Sequence, residues 1–279
     1  MLKRNLKRIF TTLLALQGLL IVTGGAVRLT GSGLGCPTWP TCTGKSYKPV
    51  PHQAQGQLHA WIEFGNRLLT FGLFFASVAA LYFVYQTKRS DLKLLAWLQV
   101  GGIFGQGILG GITVLTKLNP ATVAGHLLLS MLLIAGATTL NFKVKPYELQ
   151  SDNPYAKILA VVAFVTLIAG TVVTGSGPHA GDWQAPRFKL EIYAAAKIHS
   201  AFVAITLVLA IYLAIRFSRV EIRALLLVIF GQALIGLLQW WQGLPQWLVA
   251  LHLLGASLFW FATWRTRLSF KYLRIPGSR

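Results

Sequence analysis

Long apolar runs broken by short polar segments set the pattern of the whole chain. Eight such runs lie at about 10–29, 57–85, 94–116, 121–142, 156–175, 191–215, 223–242 and 246–264. About 20 consecutive apolar residues cross a bilayer as a helix. The runs are too long and too continuously apolar for barrel strands, and in lipid only helices or closed barrels satisfy the backbone. The pattern therefore predicts an all-α integral membrane protein with eight transmembrane helices. The first run continues to Val27 without a clean small-residue cleavage site, so it reads as a retained helix and not as a leader peptide.

Composition agrees. Only 12% of the 279 residues are charged, about half the share usual in soluble domains. The net charge is +19, from 26 Lys and Arg against 7 Asp and Glu. Such a charge can mark nucleic-acid binding, but no soluble module is present to carry a basic patch. Most of the basic residues fall in segments 3–8, 88–93, 143–157, 216–223 and 265–279, between or beside the runs. There they set topology and touch anionic headgroups of the lipid bilayer. The positive-inside rule makes these segments cytoplasmic, with both termini among them. Arg67 is the exception, a cation inside an apolar run.

Two outer segments, 30–56 and 176–190, are long, and the tetrapeptide TGSG recurs at 30–33 and 174–177. A second echo pairs GQGILGG at 105–111 with GQALIGL at 231–237. In each case a histidine follows the glutamine by the same interval, Gln106 to His126 and Gln232 to His252. The chain thus reads as two tandem, pseudo-symmetric four-helix bundles, 1–145 and 146–279. An even number of helices per unit makes the repeat parallel.

Intramembrane ionisable residues are functional by default. His126 follows Pro120 by six residues, His252 follows Pro245 by seven and His199 follows Glu191 by eight. At about 1.5 Å per residue, all three lie roughly 9–12 Å below the outer ends of their helices. A single buried histidine is more often an interhelical hydrogen bond, but three at one depth on equivalent helices point to a shared ligand. Zinc would want cysteine or carboxylate support. Haem suits better, through axial imidazoles from facing helices. His199 and His252 would make one bis-histidine site in the second half. His52 and His179 sit in outer loops and read as solvated surface.

The first half departs from this symmetry. Asn66, in IEFGNR, stands where His199 stands in the second half, and Glu63 matches Ala196. Glu63 and Asn66 are three apart and share a helix face. A carboxylate there is costly unless paired. Arg67 or Lys117 could neutralise it, and Arg67 is equally a candidate clamp for a haem propionate. His59 shares that face but lies nearer the outer surface. Cys36 and Cys42, in CPTWPTC, are the only cysteines. On the oxidising side a disulfide is expected, with a dithiol that cycles against an external redox partner as the variant.

With these residues in hand, the chain resembles the haem A synthase family. The likeness extends over essentially the whole length. It rests on eight spans in two halves, the GGAVRLTGSGLGCPTWPTC opening, the IEFGNR motif, the GQGILGGITV segment and the later histidines. The resemblance implies oxidation of the C8 methyl of haem O to a formyl group by successive hydroxylations, for cytochrome oxidase biogenesis. It implies a haem b cofactor on His199 and His252, and Glu63 as the essential carboxylate. The substrate haem would lie at His126, beside Asn66 and Arg67, and the outer-loop pair would be Cys36 and Cys42. It implies a plasma-membrane location, a haem O synthase handing over substrate, and room for a homo-oligomer. Many family members carry a histidine at the position of Asn66. Asparagine is a poor iron ligand, so either the substrate haem is held from one side by His126, with an open coordination site, or His59 or a small ligand fills the other position; the first is expected. The alternative is a b-type membrane cytochrome that only passes electrons to or from quinone, which needs no carboxylate beside its haem; a transporter is a third reading, disfavoured because such sites sit nearer the midplane.

Overall fold

The computed structural model describes residues 2–150 and 152–274. Ser151 and Arg279, the last of the basic residues invoked above, are outside the described residues. The order of elements is α1 (Leu2–Leu29), α2 (Gln57–Gln86), α3 (Ser90–Leu115), α4 (Pro120–Phe142), β1 (Tyr147–Leu149), α5 (Pro154–Ser176), α6 (Ile192–Arg216), α7 (Val220–Trp241), α8 (Gln246–Lys271) and β2 (Tyr272–Arg274). All eight helices are long and apolar enough to cross a membrane. The chain is an all-α, multi-pass membrane protein.

Helix starts follow local chemistry. Asn119 caps α4 by accepting from the Ala121 N–H, with Pro120 in the first turn. Asn153 and Pro154 repeat the device on α5, and Glu191 accepts from two amides at the start of α6. At the ends nearest the termini (the inner ends, the long loops marking the outer ends) the helices outrun the apolar segments. α1 begins at Leu2, α3 at Ser90, and α8 ends at Lys271. Lys and Arg are good helix formers, so the helical conformation continues past the lipid-compatible stretch into the basic ends.

The packing order is circular in each group of four. α1–α2–α3–α4 closes on itself, and so does α5–α6–α7–α8. Within each ring the even helices are diagonal partners. The two rings meet through α4 with α8, α1 with α8, and α4 with α5. Trp260 on α8 donates to the Met131 carbonyl on α4 at 2.6 Å, and Trp264 donates to the Thr139 hydroxyl at 2.8 Å. At the inner end β1 and β2 pair antiparallel, Glu148 opposite Leu273. At the outer end the Gly33 amide donates to the Gly181 carbonyl at 2.9 Å. Arg28 reaches the Thr174 and His179 carbonyls.

The apolar core is unevenly placed along the helices. In the two large buried clusters, every member on α2 lies C-terminal to Asn66, and every member on α4, α6 and α8 lies C-terminal to His126, His199 and His252. The even helices run from the outer loops inward. The two large clusters therefore fill the inner part of each ring, and a small third cluster around Leu118, Ala180 and Ala185 lies at the other end.

Candidate functional site

His199 and His252 face each other from the diagonal helices α6 and α8. Their ring centroids are 6.5 Å apart and the planes are 80° apart. With imidazole–metal bonds of about 2 Å, two rings at this spacing can flank a single metal atom. His199 Nδ1 lies 3.1 Å from the Thr166 carbonyl on α5. A carbonyl can only accept, so Nδ1 carries the proton and Nε2 keeps its lone pair, the usual second support of a metal-bound imidazole. His252 Nδ1 is buried without a partner. Glycines lie against both rings. A Cβ added at Gly170 would sit 3.2 Å from His199 Cε1, and one at Gly236 3.4 Å from His252 Cε1.

The first half repeats half of this arrangement. A Cβ at Gly110 would sit 3.3 Å from His126 Cε1, and His126 Nδ1 is also buried without a partner. The repeated glutamines have a structural role that spacing alone did not disclose. Gln106 Nε2 donates to the His126 carbonyl at 3.0 Å, and Gln232 Nε2 donates to the His252 carbonyl at 3.0 Å. Each locks the histidine-bearing helix to its predecessor at the level of the imidazole. In the first half Gln106 also bonds Ser130, where the second half has Ala256.

In the first half Asn66 stands on α2 where the repeat aligns His199 on α6. The Thr23 hydroxyl on α1 donates to Asn66 Oδ1 at 2.7 Å, just as α5 holds His199 through Thr166. Both even helices are tied to the helix before them at this point, which supports the pairing of Asn66 with His199.

Glu63 is buried, at 5% exposure. Arg67 donates to its Oε1 from Nη2 at 2.6 Å and from Nε at 3.1 Å. The Cys36 amide donates to Oε2 at 2.7 Å. Arg67 also donates to the carbonyls of Cys36, Thr38 and Thr41 at 2.8, 3.1 and 3.2 Å. Of the two cations considered for Glu63, Arg67 is the partner. The pair pins a loop closed by the Cys36–Cys42 disulfide, whose sulfurs are buried. On the far side of that loop the Trp39 ring lies on Gly111, where an added Cβ would come within 2.6 Å of a ring carbon. Of the adjoining glycines, Gly110 faces His126 and Gly111 faces Trp39. The second half keeps the first as Gly236 and replaces the other with Leu237, which is exposed.

The remaining histidines are placed elsewhere. His59 Nδ1 meets the Ser32 hydroxyl at 2.9 Å, holding the first TGSG segment against α2. His179 is only partly exposed, and its Nε2 lies 2.8 Å from the Leu244 carbonyl. Its reading as solvated surface is corrected: the turn before α8 supplies it with a carbonyl partner.

The residues fit haem. Two facing imidazoles, one of them with its Nδ1 held by a carbonyl, and glycines beside each ring suit a planar, apolar iron macrocycle.

Comparison with known proteins gives a consistent picture. A family model described as cytochrome oxidase assembly protein, COX15-CtaA, matches residues 7–181. That stretch includes Glu63, Asn66 and His126 and ends before α6. A haem A synthase of Shewanella oneidensis is 30% identical over 173 residues, 56% of this chain and 52% of the relative. One from Bradyrhizobium sp. (strain ORS 278) is 30% identical over 207 residues, 60% of this chain and 56% of the relative. One from Lysinibacillus sphaericus is 33% identical over 117 residues, 41% of this chain and 37% of the relative. The chain spans about half the length of the curated relatives it matches, or less.

Proposed function

The chain belongs to the COX15-CtaA family of cytochrome oxidase assembly proteins, and from that premise we propose that it is a haem A synthase, oxidising the C8 methyl of haem O to a formyl group. The observation that carries this reading is the inequality of the two rings. One offers two facing histidines and, among the described residues, no buried acid. The other offers one histidine, an asparagine in the second place, and a buried carboxylate.

In this account the halves 1–145 and 146–279 divide the work. His199 and His252 hold a haem b, and Thr166 orients the first of these imidazoles. When bound, that haem supplies a one-electron redox centre. Haem O would be the substrate of the first half, with His126 the residue that would hold it and Asn66 and Arg67 beside it. Glu63 is the residue set against the reacting methyl, stabilising positive charge there or taking its proton. Arg67 and the Cys36 amide hold that carboxylate in one orientation. Arg67, bonded to Glu63 and three carbonyls, serves as charge partner and loop clamp, and the second N–H of Nη1 leaves it able to meet a haem propionate as well. The disulfide loop covers the outer end of the first ring, between α2 and α3. Both termini are cytoplasmic in the plasma membrane, which puts the haem level nearer the outer side. A haem O synthase would supply the substrate.

The test is extraction of haems from membranes of cells that express the chain together with a haem O supply. Haem A is expected, and Glu63→Ala should abolish it. Haem b alone, unchanged by that substitution, would contradict the enzyme and favour an electron-carrying b-type cytochrome.

A further inference from the structure

We propose that the first ring binds a small diatomic ligand on the open face of its haem, with the Asn66 amide as hydrogen-bond donor and Thr23 as the residue that aims it. This rests on the reading above, in which His126 holds a haem from one side.

The internal repeat carries the first step. α2 packs on α1 as α6 packs on α5. Asn66 and His199 are each tied to the preceding helix by one hydrogen bond. The same placement that sets His199 opposite His252 sets Asn66 opposite His126. An imidazole so placed has a lone pair to offer; an amide nitrogen has none. The side chain is also shorter than histidine, so the face opposite His126 stays open.

Hydrogen-bond bookkeeping carries the second step. The Thr23 hydroxyl has one proton and three acceptors within reach. Asn66 Oδ1 is at 2.7 Å, the Leu19 carbonyl at 3.1 Å and the Leu20 carbonyl at 3.2 Å. The shortest contact takes the proton. The amide oxygen is thereby fixed on Thr23, and Nδ2, with two N–H groups, is left outside that bond. Nδ2 donates to no atom among the described residues. It lies beside Gly24, the residue after Thr23 on α1, where an added Cβ would be 3.9 Å away. A fixed, unused donor opposite an axial histidine suits an acceptor such as dioxygen, carbon monoxide or cyanide. The second ring has no such place, because His199 fills it.

Carbon monoxide is the probe. Full-length protein, purified in detergent with the haem it acquires in the cell, is reduced with dithionite and titrated. One carbon monoxide per chain is expected. Asn66→His should abolish binding and add a second low-spin haem signal. Asn66→Leu should keep the stoichiometry but shift the infrared C–O stretch and speed dissociation about fivefold, the loss of one neutral hydrogen bond. Thr23→Val should move the stretch in the same direction and Thr23→Ser should restore it, a pattern that loss of packing would not give. Two haems per chain with no carbon monoxide bound would overturn the open face. Binding that survives Asn66→His would do the same, and an unmoved stretch in Asn66→Leu would overturn the donor role. One haem per chain, lost in His252→Ala, would instead remove the first-half haem and with it the reading on which this inference rests.

Discussion

Arg67 spreads five donor contacts over four acceptors: Glu63 Oε1 and the carbonyls of Cys36, Thr38 and Thr41. Breaking a buried ion pair from one side leaves an uncompensated charge and costs about 3–5 kcal/mol. Arg67→Met is therefore expected to lower the melting temperature of the detergent-solubilised protein sharply. Adding Glu63→Gln should restore part of the loss, because the neutral amide no longer needs a cation. If the double variant melts no higher than Arg67→Met alone, the pair is not the source of the stability. The Glu63–Arg67 pairing was legible in the sequence, since residues four apart share a helix face. Its loop partners were not, because nothing local to α2 says which carbonyls the guanidinium will meet. Asn66 was legible by its alignment with His199, whereas Thr23 was invisible, a lone hydroxyl in an apolar run whose partner lies across a helix interface.

Between elements, the repeated Gln–His interval is a tie between consecutive helices. Gln106 and Gln232 clamp α3 to α4 and α7 to α8 at the imidazole level. Interhelical hydrogen bonds within membranes average about 0.6 kcal/mol. Gln232→Leu is thus expected to cost little stability while broadening the visible spectrum of the second-half haem, as the His252 backbone loses its anchor. A sharp, unaltered spectrum would count against the clamp. The loop behaves differently. Gly111→Leu must displace the Trp39 ring, so the disulfide loop should become accessible to reductant and to proteolysis while His126, on the other side of Gly110, keeps its ligand spectrum. Protease resistance equal to wild type would show that the loop does not depend on this seat. The eight helices themselves were readable from hydropathy. Their inner ends were not, because charged residues continue the helix beyond the apolar stretch. Nor was the β1–β2 ribbon, whose three-residue strands are too short to show a period.

For the whole molecule, three breaks in the pseudo-symmetry of the two rings bear on the candidate site: Asn66 for His199, Glu63 for Ala196, and a disulfide loop seated on Gly111 where the second half has Leu237. All three fall in the first ring at or above the histidine level. The inner parts remain close-packed in both rings. Duplication was visible in the paired motifs, and the proposed division of labour followed from Asn66 and Glu63 in the sequence, whereas the fastening of the outer loop by Glu63 and Arg67 was not legible there. The central claim is that the second ring keeps one haem between two histidines while the first presents another to Glu63. The most direct measurement is low-temperature EPR with a haem count on purified wild type and the His252→Ala variant. The account predicts loss of the low-spin bis-histidine signal in His252→Ala while haem held through His126 persists. A low-spin signal that survives His252→Ala unaltered would contradict it.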